Sequence, residues 1–287
     1  MNKVIDTHLH TWDLQQLDYY WLKGDTSILA KDYFLDEVAL NFVEAGVTNA
    51  LLVQAANSLA ESDWLLSLAE VHEWVAGAVI WLPLEKPEAV HAALEKYQPN
   101  PYFKGVRHQI HDEQNNEWLL QPTVVESLAL LAGKNIPYDL VGTKPAHIET
   151  AIKVAERIPS LKMVFDHLNQ PPNAVSKEWD TWTGLMKDAA AHANFYAKIS
   201  GLGTTTAKPF TWDAGDIAPC VEFALKAFGT DRVFCGGDWP VSLLAGSYSY
   251  TWQQYQAVFN TLLTAFEKTK VYQHNAEIFY NLLPDNF

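Results

Sequence analysis

PYDLVGTKPAHIETAIKVAERIPSLKMVFDHLN, residues 137–169, holds the organisation of the chain in a single unit. An apolar run, PYDLVGT (137–143), gives way to HIETAIKVAERI (147–158), whose apolar residues fall three and four apart and so share one helix face. Pro159 stops that helix, and a second apolar run, KMVFDHLN (162–169), follows at once. Strand, helix and strand in this order predict a βαβ unit with parallel strands.

Similar runs recur about every 30 residues on either side: VIDTHLH (4–10), VTNALLVQAA (47–56), VAGAVIWLP (75–83), FKGVRHQIH (103–111), FYAKISGL (195–202) and RVFCGGDWP (232–240). Together with the two above they make eight. Helix-length stretches lie between them, such as DEVALNFVEAG (36–46) and TVVESLALLAGKN (123–135). Eight alternating units in about 250 residues predict a (β/α)8 TIM barrel. A doubly wound open sheet is the rival, but no phosphate-binding glycine fingerprint is present. GLGTTT (201–206) lacks the third glycine and the helix-opening context.

The connections orient the barrel. Links from helix to strand are short and carry stop signals at Gly46, Gly133, Pro159 and Gly229. Links from strand to helix are longer: 11–34, 112–121, 170–180, 203–216 and 241–251. In a TIM barrel those longer links build the face that carries the active site. No linker, low-complexity tract or repeat of 20–50 residues interrupts the pattern, so residues 1–287 are expected to form one domain. The tail from Val271 reads as a last helix, VYQHNAEIFYNLL (271–283), followed by a frayed end.

Composition narrows the function. The 34 acidic against 20 basic residues give a net charge of −14, which argues against nucleic acid and anionic membranes as partners. No apolar run approaches the ~20 residues of a membrane span, and Lys3 and Asp6 stand where a signal peptide would be apolar. Cys220 and Cys235 build neither a disulfide framework nor a thiolate metal cluster, so a reduced cytoplasm is expected. There is no GxSxG elbow and no HExxH motif. The expected partner is a small-molecule substrate, with a homo-oligomer compatible with the pattern.

The chemistry collects at the strand ends. Residues two apart on a strand point the same way, so Asp6, His8 and His10 are expected on one face. Two converging imidazoles can bind one divalent ion or polarise one carbonyl oxygen. An HxH pair alone is more often an ordinary strand-loop junction. His167 late in the sixth run and Asp238 late in the eighth change that reading, because four ligand-type side chains then meet at three strand ends.

DTHLHTW near the start, FKGVRH on the fourth strand, DH on the sixth, KISG on the seventh and GGDWP on the eighth resemble the amidohydrolase superfamily. More narrowly they resemble the branch containing sugar-acid lactonases and 2-pyrone-4,6-dicarboxylate lactonase. The resemblance covers nearly the whole chain. It implies that His8, His10, His167 and Asp238 surround the reacting carbonyl. The chain departs from many metal-dependent members: strand five has no histidine, and strand four offers Arg107, His108 and His111 in place of lysine or glutamate. A binuclear site bridged by a carboxylated lysine is therefore not expected. One divalent ion, zinc first, held by His8, His10, His167 and Asp238 is one expectation, and metal-free lactone hydrolysis the other; no organic cofactor is expected.

Lactone hydrolysis needs an activated water and a stabilised oxyanion. Asp238 is expected to take the water's proton and return it to the leaving alkoxide. His8, His10 and His167 are expected to stabilise the oxyanion, directly or through the ion. Arg107, His108, Gln54, Tyr138 and Lys198 are the candidate substrate contacts, with Lys198 alternatively paired to Asp238. Trp12, Trp81 and Trp239 stand where an aromatic plate can cover a sugar ring. Of the three arginines, only Arg107 is expected near the site. A dicarboxylate calls for more than one guanidinium fork. A neutral aldono-1,4-lactone of the fucono-, rhamnono- or galactono- type is therefore the expected substrate. A pyrone-dicarboxylate lactonase, a mononuclear-metal decarboxylase and a catalytically dead binding barrel are the alternatives.

Overall fold

Each apolar run of the sequence contains a strand. The structure, a computed structural model describing residues 3–282, places them at β1 (Ile5–Leu9), β2 (Asn49–Val53), β3 (Val75–Ile80), β4 (Phe103–His108), β5 (Tyr138–Leu140), β6 (Met163–Phe165), β7 (Phe195–Ile199) and β8 (Val233–Cys235). They pair in parallel in chain order. A parallel bridge between Leu9 and Trp239 brings the last strand exit back to the first. The result is the expected (β/α)8 barrel.

The helices are α1 (Leu35–Ala39), α2 (Phe42–Ala45), α3 (Leu59–Val71), α4 (Pro87–Tyr97), α5 (Pro122–Gly133), α6 (Pro145–Arg157), α7 (Trp179–Ala190), α8 (Leu202–Thr205), α9 (Ala214–Phe228), α10 (Tyr248–Leu262), α11 (Ala265–Thr269) and α12 (Asn275–Phe279). Proline opens α4, α5 and α6, where its missing N–H costs nothing. Ser58 caps α3 and Ser247 caps α10 through their hydroxyl oxygens. The helix expected over 36–46 breaks into α1 and α2, and Gly46 closes α2 at φ 72°. The last helix is likewise divided, a π-helical turn at Lys270–His274 preceding α12. The frayed end expected beyond it lies outside the described residues.

Ile5, Leu51, Val53, Val79, Val164 and Phe234 form a cluster of buried residues with Phe279 and Tyr280, so the C-terminal segment packs against the strands. At about 25 cal/mol per Å² of apolar surface, such burial is the main term holding the strands together. Among the described residues no helix is long and apolar enough to cross a membrane.

Candidate active site

The seam that closes the barrel is also where the chemistry collects. Asp238 N–H donates to the His8 carbonyl at 2.7 Å, and His10 N–H donates to the Trp239 carbonyl at 2.7 Å. These two bonds fix the GGDWP turn against the end of β1. Gly236 and Gly237 permit that approach: a Cβ on Gly236 would lie 2.7 Å from His8 N, and one on Gly237 2.6 Å from an Asp6 carboxylate oxygen. Asp6 does not join the two histidines. Its carboxylate accepts from His8 N, Gly237 N and the Tyr248 hydroxyl, because a register irregularity between Asp6 and Leu9 interrupts the strand alternation. Asp6 therefore holds the seam together from behind.

Four side chains meet above it. The His8 and His10 Nε2 atoms are 3.1 Å apart. Asp238 Oδ1 lies 3.7 Å from His8 Nε2, 3.5 Å from His10 Nε2 and 3.9 Å from His167 Nε2. His167 and Asp238 stand beyond the ends of β6 and β8, and both adopt positive φ, 54° and 57°. These sharp exits turn the side chains across the barrel mouth.

Beneath the histidines lies a buried ionic network. Arg107 donates to Asp166 at 3.0 Å and approaches His8 Nε2 at 3.1 Å. Lys198 Nζ lies 2.7 Å from Asp139 and 2.8 Å from Asp166. Lys198 thus pairs with these two acids and not with Asp238, a correction to the pairing expected from sequence. The reason is topological: β5 and β6 deliver their acids into the barrel beside β7. Burial alone would raise the Asp166 pKa, but Lys198, His8 and Arg107 outweigh it and hold Asp166 well below the usual carboxylate range. Burial carries Asp139 up to about 6. Asp166 is therefore the more acidic of the two carboxyls beside Lys198.

Hydrogen bonds restrict where the ring protons sit. His10 Nδ1 is 2.7 Å from the Val53 carbonyl, which can only accept, so Nδ1 carries hydrogen. Burial depresses the His10 pKa against the opposing pull of Asp238, which favours the neutral ring, whose Nε2 then presents a lone pair to the cluster. Burial likewise holds His8 well below its ordinary pKa. Ser200 Oγ accepts from His167 N–H at 3.2 Å and lies 2.9 Å from His167 Nδ1. Where Ser200 also donates its hydroxyl hydrogen to Nδ1, His167 Nε2–H is the free donor. As a neutral ring His10 offers a lone pair from Nε2 rather than a proton, while Arg107 always donates and His167 donates from Nε2 when its Nδ1 accepts from Ser200.

Above the cluster opens a cavity of about 200 Å³, continuous with solvent. His10, Arg107, His167 and Asp238 line it, with Trp21, Gln109, His111, Thr143, Gln170 and Thr204 on its walls. Several expected contacts lie elsewhere. His108 is turned away: its ring stacks on Trp118 at 4.0 Å, accepts from Trp81 Nε1 at 2.9 Å and meets Glu113 at 2.7 Å. Gln54 is buried and donates to the Arg107 carbonyl at 3.2 Å. Tyr138 is buried on β5. Trp12 and Trp239 both pack against Tyr33 in the core, and Trp12 backs Trp21 edge-on at 5.4 Å.

Trp21 was invisible as a wall residue because its place depends on a loop conformation: its Nε1 donates to the Ala55 carbonyl at 2.7 Å. Asp166 did carry a signal, sitting beside His167 in FDHLN, but its role needs Arg107 and Lys198 in space.

His8, His10 and Asp238 offer ligand atoms within 4.8 Å of one another. Asp238 Oδ1 is buried without a hydrogen-bond partner among the described residues. Together with the His10 lone pair, this donor set fits one divalent ion of the zinc type.

A (β/α)8 barrel with imidazoles and a carboxylate at the C-terminal strand exits defines a class, that of barrel hydrolases acting at a polarised carbonyl. Within it, the chain belongs to the amidohydrolase family, whose model matches residues 5–282. A protein named L-fucono-1,5-lactonase from Burkholderia ambifaria is 30% identical over 244 residues, covering 85% of this chain and 82% of the relative. A crystal structure of an amidohydrolase from Burkholderia multivorans with bound HEPES is 26% identical, with a TM-score of 0.91 over 98% of this chain and 100% of that one. A second crystal form of the multivorans amidohydrolase, with bound zinc, has a TM-score of 0.89 at 26% identity and the same coverage.

Proposed function

We propose that this chain hydrolyses a neutral sugar-acid lactone. The observation that carries the reading is the charge of the cavity wall. Arg107 is the sole lysine or arginine among its described lining residues, and Asp166 already engages it. Lys144 reaches Asn116, Lys198 is closed in with Asp139 and Asp166, and Arg232 donates to carbonyls at helix and strand ends. A dicarboxylate would find no second lysine or arginine fork in the described lining. Trp21, Gln109, Thr143, Gln170 and Thr204 offer instead an apolar face and neutral hydrogen-bonding groups, which suit a hydroxylated ring. The lactonase name of the ambifaria relative supports the same class.

In this mechanism Asp238, with Oδ1 unpaired, takes a proton from the attacking water. The His167 Nε2–H and the Arg107 guanidinium face the oxygen on which negative charge develops. Asp238 then returns the proton to the ring oxygen as the carbon–oxygen bond breaks, leaving the open-chain acid. His8, His10 and Asp238 are the residues that would hold a divalent ion, which supplies carbonyl polarisation and a more acidic water.

A panel of aldono-1,4- and 1,5-lactones with a pH indicator tests the proposal. Turnover of one or more neutral lactones, with 2-pyrone-4,6-dicarboxylate untouched, is the expected result. Silence across the panel with turnover of the dicarboxylate would overturn it.

A further inference from the structure

We propose that His111 determines substrate specificity by accepting a hydrogen bond from one ring hydroxyl of the lactone. The inference rests on the lactone reading and deepens it. His111 lies in the 3-10 turn Ile110–Asp112 just after β4 and lines the same cavity as Asp238, with 27% of its side chain exposed. Its Nδ1 is 3.2 Å from the Val141 carbonyl, which accepts only, so the hydrogen is on Nδ1. Burial, with Arg107 and His167 nearby, depresses its pKa against the opposing pull of Asp112, which favours the neutral ring. Nε2 is then a lone pair with no hydrogen bond among the described residues. Asp112 stands 3.7 Å from it, and the Tyr20 hydroxyl already donates to that carboxylate.

A neutral imidazole nitrogen bearing a lone pair accepts O–H or N–H. On an aldonolactone the only donors are hydroxyls. The Val141 bond fixes the ring, so the acceptor sits in one place and one ring position is read.

The test compares each lactone that is turned over with its single-deoxy analogues, using wild type, His111→Phe and His111→Gln. Phenylalanine keeps the ring shape and removes the acceptor; glutamine restores an acceptor oxygen. In the wild type, the analogue lacking one particular hydroxyl is expected to lose about tenfold or more in kcat/KM. His111→Phe is expected to raise KM for the parent lactone by a similar factor and abolish the preference at that carbon alone. His111→Gln is expected to recover part of it. Melting curves show whether each variant folds, and His111→Asn, too short to reach, replaces the phenylalanine variant if it does not. An unchanged preference overturns the assignment, as does a uniform loss across parent and every analogue. Wild-type inactivity on all lactones removes the lactone reading and this one together, whereas wild-type turnover without discrimination removes this one alone.

Discussion

His10 and His108 show how a single hydrogen bond decides what an imidazole can do. A backbone carbonyl pins the proton of His10 on Nδ1, leaving a lone pair toward Asp238. The indole N–H of Trp81 does the reverse for His108, forcing its Nδ1 to accept and its Nε2 to carry hydrogen toward Glu113. Burial pushes the His108 pKa down to about 4. Unfolding returns it to about 6.5, so between these values the unfolded chain binds the extra proton and stability falls as pH falls. His108 alone is expected to account for roughly 2 to 3 kcal/mol of destabilisation between pH 6.5 and 4. Thermal melts across that window check this: His108→Gln, neutral throughout, should show a shallower acid limb than wild type, and parallel limbs would refute the assignment. Nothing in GVRHQIH distinguishes His108 from His111 by residue type. Parity along β4 separates Arg107 from His108, but the 3-10 turn that aims His111 into the cavity has no sequence signature.

At the scale of elements, periodicity carried most of the information. All eight strands lie inside the apolar runs, because β-branched and apolar residues bounded by glycine and proline leave few alternatives. What periodicity could not supply was the geometry past each strand end. His167 and Asp238 stand in turns at positive φ, not on β6 and β8, and the break at Asp6 defeats simple alternation. The same exits make a prediction about β7. Gly201, at φ 59°, follows it, and a Cβ there would lie 2.5 Å from Asp238 Oδ2 and 2.8 Å from His167 Nδ1. Both the left-handed backbone and the close approach demand glycine. Gly201→Ala is expected to lower kcat on the order of 100-fold by displacing the acid and the imidazole. Steady-state kinetics check this, and a Tm drop without loss of kcat in the folded fraction would contradict it.

For the molecule as a whole, charge and shape act together. A net charge of −14 repels anionic substrates at long range and attracts divalent cations. The cavity continues that preference inward, with neutral donors on its walls and a His–His–Asp group at its base. Elemental analysis of the purified protein is expected to find one zinc per chain. Chelation should strip the metal and lower activity, and one equivalent of zinc should restore it. Full activity with no metal would leave oxyanion stabilisation to direct donors such as Arg107 and His167. The central claim is that Asp238 activates water against a neutral lactone. Its most direct test is the hydrolysis rate of the best neutral aldonolactone by wild type and Asp238→Asn side by side. The account predicts a fall in kcat of about 10²- to 10⁴-fold for the variant, with substrate binding retained. Equal rates for the two proteins would contradict it.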